Sequence, residues 1–486
     1  MATAMPRDPL RVRLFGFWSG IAAFAVLLSV PPIGGLSEAA GRLLALIALM
    51  AIWWLTEAIP VAMTGAMPFL ILPLVGVAPA DRVAAQYMSP AIFLILGSAC
   101  IALALEKYAL HRRLAYAVLR SAGATPQQLL LAIIASTAFV SMWINNSATT
   151  VMMLPIAMSV ALASAPRLRA PAVPEAERRF AAAMALGVAW GANVGGLATL
   201  VGTPVNLVAV NSLATTLGVQ VSFAEWLGFG LPLAIAGVPL GWWVLRATVM
   251  PRVIDRAPLA DVLAALGEPQ PLRSAEWRVL SVLLAAIGCW FALPWLAEYL
   301  PGINDATIAI AAAVALSVLP AGRRGEHGRL LEWPDVLRAP WYLVFLLGGG
   351  LALADAAVQT GLAGAIGASL DDLAARPVWQ VLPIVAALLI GVTEFASNIA
   401  TAAAFVPVVI ALASAGNHDA VLFALTAGVA SSWGFANPAG TSSNAMAYAT
   451  GFVRVAEMVR AGLLFDLLGA VLIASVTAVF VPLIVS

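Results

Sequence analysis

The stretch SMWINNSATTVMMLP, residues 141–155, sets two asparagines, a serine and two threonines in the middle of an apolar run that extends over about 126–163. A single bilayer crossing needs only about 20 residues, so this run is too long for one span and holds the polar motif at its middle. A segment that enters the membrane, turns at the polar residues and leaves by the same face fits it. Non-helical backbone at membrane depth is tolerated only where protein or a water-filled cavity receives it. The run therefore reads as a re-entrant helical hairpin with the polar motif at its tip. TEFASNIATAAAFVP, residues 393–407, does the same within a second long run, about 378–413.

The rest of the chain agrees with a membrane setting. Of 486 residues, 62% are hydrophobic and 10% charged, and the mean hydropathy is +0.97, whereas soluble domains are about a quarter charged. Spanning helices are expected near 13–31, 40–58, 62–79, 91–108, 180–215, 224–246, 276–298, 304–321, 341–362, 419–451 and 461–485. With the two hairpins, this is an all-α polytopic protein of about eleven transmembrane helices. The N-terminal segment has the outline of a signal peptide but no small-residue cleavage site, and is read as a retained first helix. Of the 25 Lys and Arg residues, a threading with the N-terminus in the cytoplasm leaves only Arg42, Arg82 and Arg376 outside, together with the C-terminus. The stretch 111–123 reads as an amphipathic surface helix supporting the first hairpin.

The two motifs belong to an internal repeat. A shift of 252 superposes Phe93 on Phe345, Gly97 on Gly349, Asn146 on Asn398, Thr149 on Thr401 and Pro155 on Pro407. GTPVN (202–206) and GTSSN (440–444) follow the hairpins at a different spacing. An odd number of crossings between copies turns the second upside down. The chain then divides into a first inverted repeat (1–246) with the cytoplasmic-side hairpin, a cytoplasmic linker (247–275) and a second inverted repeat (276–486) with the outer-side hairpin. Inverted repeats are a recurrent transporter architecture, with substrate near the midplane where the copies meet.

At each tip the following half-helix points its N-terminus into the cavity and favours an anion. Unwound carbonyls, hydroxyls and amide oxygens are hard ligands suited to a small cation such as sodium. Residues 125–163 contain no charged side chain and 377–415 only Glu394, so an anion there needs helix N-termini and co-bound cations to offset its charge. A lone Asn-Asn-Ser in a membrane helix is more often an interhelical hydrogen bond than a binding site. Two copies, each followed by a broken Gly-Thr-x-x-Asn segment, favour a site. Ser141 and Thr393 are equally placed before their tips, with a back-bonded helical hydroxyl as the rival role. Glu57, Glu106, Asp355 and Glu394 are intramembrane carboxylates, and Glu394, one turn before Asn398, is placed to brace that tip. Cys100 and Cys289 lie in apolar spans without metal or redox spacing. His111, His327 and His418 are scattered. The net charge of +1 and the lack of a basic tail argue against a nucleic-acid partner.

The hairpin motifs together with WWLTEAIP (53–60), LALEKYALHRRLA (103–115), GTPVNL (202–207) and LLGGGLALADAAVQTGLA (346–363) resemble the divalent anion:sodium symporter family of dicarboxylate, citrate and sulfate carriers. The resemblance covers nearly the whole chain. It implies a homodimer in a bacterial inner membrane, moving its hairpins across a fixed scaffold as an elevator-type transporter. Carried over by position, one sodium site would use Ser141, Asn145, Asn146 and Gly202, and a second Thr393, Ala396, Asn398 and Gly440. Substrate would touch Asn145, Asn146, Ser397, Asn398, Thr203 and Thr441. The family's Ser-Asn-Thr tips here read Asn145-Asn146-Ser147 and Ser397-Asn398-Ile399, and Ser442 and Ser443 replace the usual prolines.

The expected activity is import of a C4-dicarboxylate such as succinate, malate or fumarate, coupled to co-transported sodium. Exchange, or carriage of citrate, tartrate or sulfate, are the alternatives within that class. A channel would keep a continuous pore rather than two broken hairpins meeting at the midplane. An enzyme would need a nucleophile–base or metal constellation, and the chain has no HExxH, GxSxG or paired histidines.

Overall fold

A computed structural model describes residues 9–32, 36–121, 125–165, 168, 173–251, 260, 263–264, 271–322, 328–362, 365 and 376–484. Most of the expected linker 247–275, and the basic residues Arg7, Arg167, Arg169, Arg252, Arg256, Arg323 and Arg324, lie outside the described residues. The described regular structure is helical, apart from one isolated bridge between Pro320 and Arg329. The first half runs through α1 (Pro9–Ser29), α2 (Glu38–Thr56), α3 (Val61–Gly65), α4 (Met67–Leu74), α5 (Ala80–Gln86), α6 (Pro90–Lys107) and α7 (Leu110–Ser121). Its hairpin is α8 (Pro126–Ser141) and α9 (Asn146–Ser164), followed by α10 (Glu175–Gly196), α11 (Pro204–Leu217) and α12 (Phe223–Thr248). The second half begins with α13 (Ser274–Phe291), α14 (Leu293–Tyr299), α15 (Asp305–Val318), α16 (Trp333–Val336) and α17 (Tyr342–Gln359). Its hairpin is α18 (Val378–Thr393) and α19 (Asn398–Ala415), followed by α20 (Ala420–Ala430), α21 (Ser442–Ala449) and α22 (Val455–Ile484).

Among the described residues, eight helices are long and apolar enough to cross a membrane, and the hairpin arms α9 and α19 are two of them. Four expected spans are interrupted. The spans near 180–215 and 419–451 break at 197–203 and 431–441, stretches that end in the Gly-Thr pairs 202–203 and 440–441. Those near 62–79 and 276–298 break at Ala66 and Ala292, each two residues before a proline, Pro68 and Pro294. Proline has no N–H to donate to the turn behind it, so a new helix starts there more readily than the old one continues. The amphipathic stretch forms α7, which buries Leu110, Ala115 and Leu119 and packs on α8.

Helix starts follow local chemistry. Thr125 and Gln128 form a capping box at the head of α8, and Ser222 and Glu225 do so for α12. Asp419 accepts from Val421 and Leu422 N–H groups to open α20. The centre is α10, buried without interruption from Phe180 to Gly196. Small residues let it approach α8 closely: a Cβ on Gly195 would lie 2.1 Å from the Ala138 carbonyl oxygen.

Each hairpin packs on the helix that enters its own broken segment, α8 and α9 on α10, and α18 and α19 on α20. The helices leaving those breaks change sides. α21 lies against α9 and α10, and α11 lies against α19 and α20. Trp190 of α10 stacks on Phe465 of α22 at 4.6 Å between ring centroids, so the two halves share one core and enclose the hairpin tips between them.

Candidate functional site

The tips are built alike. α8 ends at Ser141, whose hydroxyl donates to Asn146 Oδ1 at 3.0 Å. α18 ends at Thr393, whose hydroxyl lies 2.8 Å from Asn398 Oδ1 and 2.7 Å from the Ser431 carbonyl. In both, the asparagine is the first residue of the next helix and is turned back onto the last hydroxyl of the previous one. The caps differ. Asn145 accepts from the Ala148 N–H at 2.9 Å, whereas Ser397 makes no side-chain cap.

The broken segments repeat the same bonds at a shift of 238. Asn206 Nδ2 donates to the carbonyls of Gly196 and Thr199, and Asn444 Nδ2 to those of Gly434 and Asn437. The Oδ1 of each asparagine is buried without a hydrogen-bond partner. Each break is also tied to its hairpin: Thr199 Oγ1 donates to the Met142 carbonyl, and Asn437 Nδ2 to that of Glu394. Gly202 packs against the backbone of Ser141, and Gly440 against that of Glu394.

Both tips and both breaks open on one cavity of about 790 Å³, within the range of small-molecule sites. All six residues expected to touch substrate line it: Asn145, Asn146, Thr203, Ser397, Asn398 and Thr441. Ala396 and Gly440 line it too, while Ser141, Thr393 and Gly202 are buried behind the wall. The convergence of Thr393 Oγ1, Asn398 Oδ1 and the Ser431 carbonyl is a cluster of uncharged oxygens. Ser141 Oγ, Asn146 Oδ1 and the Ile144 carbonyl form its counterpart, with Ser141 Oγ 3.4 Å from Ile144 O. Neutral hard oxygens at helix breaks suit a monovalent cation.

Several contributors lie outside the sequence motifs. Asn193 bridges the halves, accepting from Asn146 Nδ2 at 3.2 Å and donating to Thr441 Oγ1 at 3.1 Å. It is the only amide side chain in the Ala- and Gly-rich interior of α10, a signal of the kind that marks intramembrane function. Ser147 and Ser442 place their hydroxyls 2.5 Å apart at the cavity wall, and Thr150 donates to Ser443 at 2.9 Å. Ser442 and Ser443 thus bind the first hairpin to the second break.

Of the four carboxylates expected within the membrane, Asp355 takes two bonds from Arg82, at 2.8 and 2.9 Å, and Glu106 pairs with Arg338. Glu57 pairs with Arg13 at the cavity. Glu394 instead accepts from the Ala436 N–H at 2.8 Å, so its brace reaches the second break rather than Asn398.

A helical protein whose two halves close matched broken helices on a shared polar cavity has the architecture of a secondary transporter. The chain belongs to the sodium:sulfate symporter family, whose transmembrane region matches residues 12–486. It is 30% identical over 475 residues to the sodium-dependent dicarboxylate transporter SdcS of Staphylococcus saprophyticus subsp. saprophyticus, covering 97% of this chain and 92% of the relative. It is 29% identical over 440 residues to SdcS of Staphylococcus aureus strain USA300, covering 90% and 85%. The YdaH transporter of Alcanivorax borkumensis shares the fold, with a TM-score of 0.55 at 13% identity over 98% of each chain.

Proposed function

We propose that this protein imports a small dicarboxylate, of the C4 size of succinate, malate or fumarate, together with sodium. The carrying observation is that the N-terminal asparagines of α9 and α19 face one cavity alongside Thr203 and Thr441. Two helix N-termini with amide and hydroxyl donors suit the two ends of a dianion. Among the described residues no guanidinium stands at the tips. The remaining charge is therefore offset by cations held behind them, by Ser141, Asn145, Asn146 and Gly202 in the first repeat and Thr393, Ala396, Asn398 and Gly440 in the second. The names of the SdcS relatives support both the substrate class and the ion.

In this reading the repeats are inverted, and the hairpins with α10, α11, α20 and α21 move as a unit against the remaining helices of a homodimer. The protein sits in a bacterial plasma membrane with its N-terminus in the cytoplasm. The matched bonds at the two tips and the exchanged packing of α11 and α21 support the repeat, and the distribution of basic residues supports the orientation. A second reading, a more hydroxylated or tetrahedral dianion such as tartrate or sulfate, draws on the Ser147 and Ser442 hydroxyls at the cavity wall and on Ile399 of the second tip, which offers no donor.

The test is uptake of radiolabelled succinate into proteoliposomes under an inward sodium gradient, a proton gradient, or trapped dicarboxylate. Sodium-driven uptake is expected. Stimulation by trapped dicarboxylate alone would make the protein an exchanger. Succinate binding of equal strength with and without sodium would remove the coupling scheme.

A further inference from the structure

The cavity is uncharged at its base but not at its mouth. Among the described residues that line it, Arg13 and Glu57 are the charged ones. Arg13 stands near the start of α1 and Glu57 caps the end of α2, so both mark the end of the molecule that the threading assigns to the cytoplasm. Arg13 Nη2 donates to Glu57 Oε2 at 3.4 Å, and the side chains keep 57% and 65% exposure. This single, long, exposed bond contrasts with the two-pronged Arg82–Asp355 pair at 2.8 and 2.9 Å. Solvent screening makes such a pair weak, so either partner is easily given up.

The pair is nevertheless positioned with care. α1 and α2 are joined by a close approach at Gly16, where a Cβ would lie 2.0 Å from Thr56 Oγ1. Trp53 stacks on Phe17 at 5.3 Å and donates to its carbonyl. One turn from this contact, Glu57 adopts a left-handed conformation, φ 47° and ψ 41°, which a side chain with a Cβ avoids unless its surroundings hold it there. A rigid joint and a strained cap therefore hold a carboxylate and a guanidinium face to face at the mouth of an anion site.

We propose that Arg13 is the capture residue for the dianion on this side of the membrane, and that Glu57 is its resident competitor. A carboxylate of the substrate takes the place of Glu57 on the guanidinium before the anion descends to the tips. Glu57 recovers its partner when the anion enters or leaves, which keeps Arg13 from becoming a trap. A guanidinium at a cavity mouth also raises the local anion concentration, an effect that weakens with ionic strength.

This inference rests on the anion-transport reading, and the experiment separates the two. Full-length protein in proteoliposomes of known orientation is assayed for sodium-dependent succinate transport, with succinate offered from either face. Arg13→Gln is expected to raise KM about five-fold at low salt on the N-terminal face. The increase should shrink when choline chloride is added and be absent on the opposite face. Arg13→Lys should restore most of the loss. Glu57→Gln should move KM the other way, lowering it on the same face. If the pair only stitches α1 to α2, both neutral variants will lower stability and shift KM in the same direction on both faces, and the proposal fails. Normal wild-type transport with an unchanged KM in Arg13→Gln overturns this inference alone. Absence of wild-type transport of any divalent anion overturns the functional reading and this inference with it.

Discussion

The first hairpin tip ends at Ser141 and begins again at Asn146; the second ends at Thr393 and begins again at Asn398, with the same hydroxyl-to-amide bond in each. What holds them in place differs. Where the first repeat has Met142 and Asn193, the second has Glu394 and Ser431 at the matching positions. The first tip is fixed by an amide relay, Asn146 to Asn193 to Thr441, that crosses into the other repeat. The second is fixed within its own repeat by a buried carboxylate on the Ala436 N–H and by the Ser431 carbonyl on Thr393. Two solutions to one problem, satisfying backbone at membrane depth, leave one tip coupled to its partner repeat and the other self-sufficient.

The severest break of this comparison is alanine at the tip asparagines. Asn146→Ala leaves the Ser141 hydroxyl and the Asn193 carbonyl without their partner, at about 3 kcal/mol together, or about 100-fold. Transport should fall by at least that factor, and Asn398→Ala should fall comparably through loss of the Thr393 bond and of substrate contact. Expression and oligomeric state should stay normal for both. Loss of folded protein in either variant would assign the asparagines to helix packing instead.

Next in size is the brace. Glu394→Ala leaves the buried Ala436 N–H without its acceptor, at about 1–3 kcal/mol. The thermal midpoint in detergent should drop by several degrees, with transport down about 10-fold. Met142→Ala, at the matched position, loses only packing of a half-buried side chain, and transport should stay within about two-fold. Equal losses in the two variants would show that the repeats are not braced differently.

Asn193→Ser copies Ser431 into the first repeat and cuts the relay while leaving both tips formed. Two neutral hydrogen bonds are worth about 1–2 kcal/mol net, so transport should fall about 10-fold with the fold intact. Unchanged transport would show that the first tip, like the second, stands without its neighbour.

The tips are legible in the sequence because an apolar run of almost two crossings, polar at its middle, must turn back inside the membrane. The Gly-Thr-x-x-Asn breaks are legible because they recur after each hairpin, and their asparagines indeed cap the carbonyls that the breaks expose. Asn193 is harder to see, although it is a lone amide in a buried run, because its meaning lies in two partners distant in sequence, Asn146 and Thr441. The breaks at Ala66 and Ala292 stay hidden because proline is common in membrane helices and marks an interruption only when neighbouring packing does not close it. Glu394 reads as a brace from its position alone, but its partner, the Ala436 N–H, depends on how the second break folds back on the hairpin.

The smallest expected effect tests the one place where the tips differ in the cavity itself. Ser147 and Ile399 occupy the same position after their asparagines, and both line the cavity. The Ser147 hydroxyl is engaged with Ser442, whereas Ile399 offers only carbon. Ile399→Thr keeps a β-branched side chain, so the backbone and first torsion are little disturbed, and adds one hydroxyl beside the N-terminus of α19. One new donor to a carboxylate, offset by lost apolar contact, is worth about 0.5–1 kcal/mol, so KM for succinate should fall about three-fold with the maximal rate within about two-fold. If Ile399→Thr instead raises KM for succinate, the second tip faces an apolar part of the substrate, and the two ends of the site recognise different chemistry.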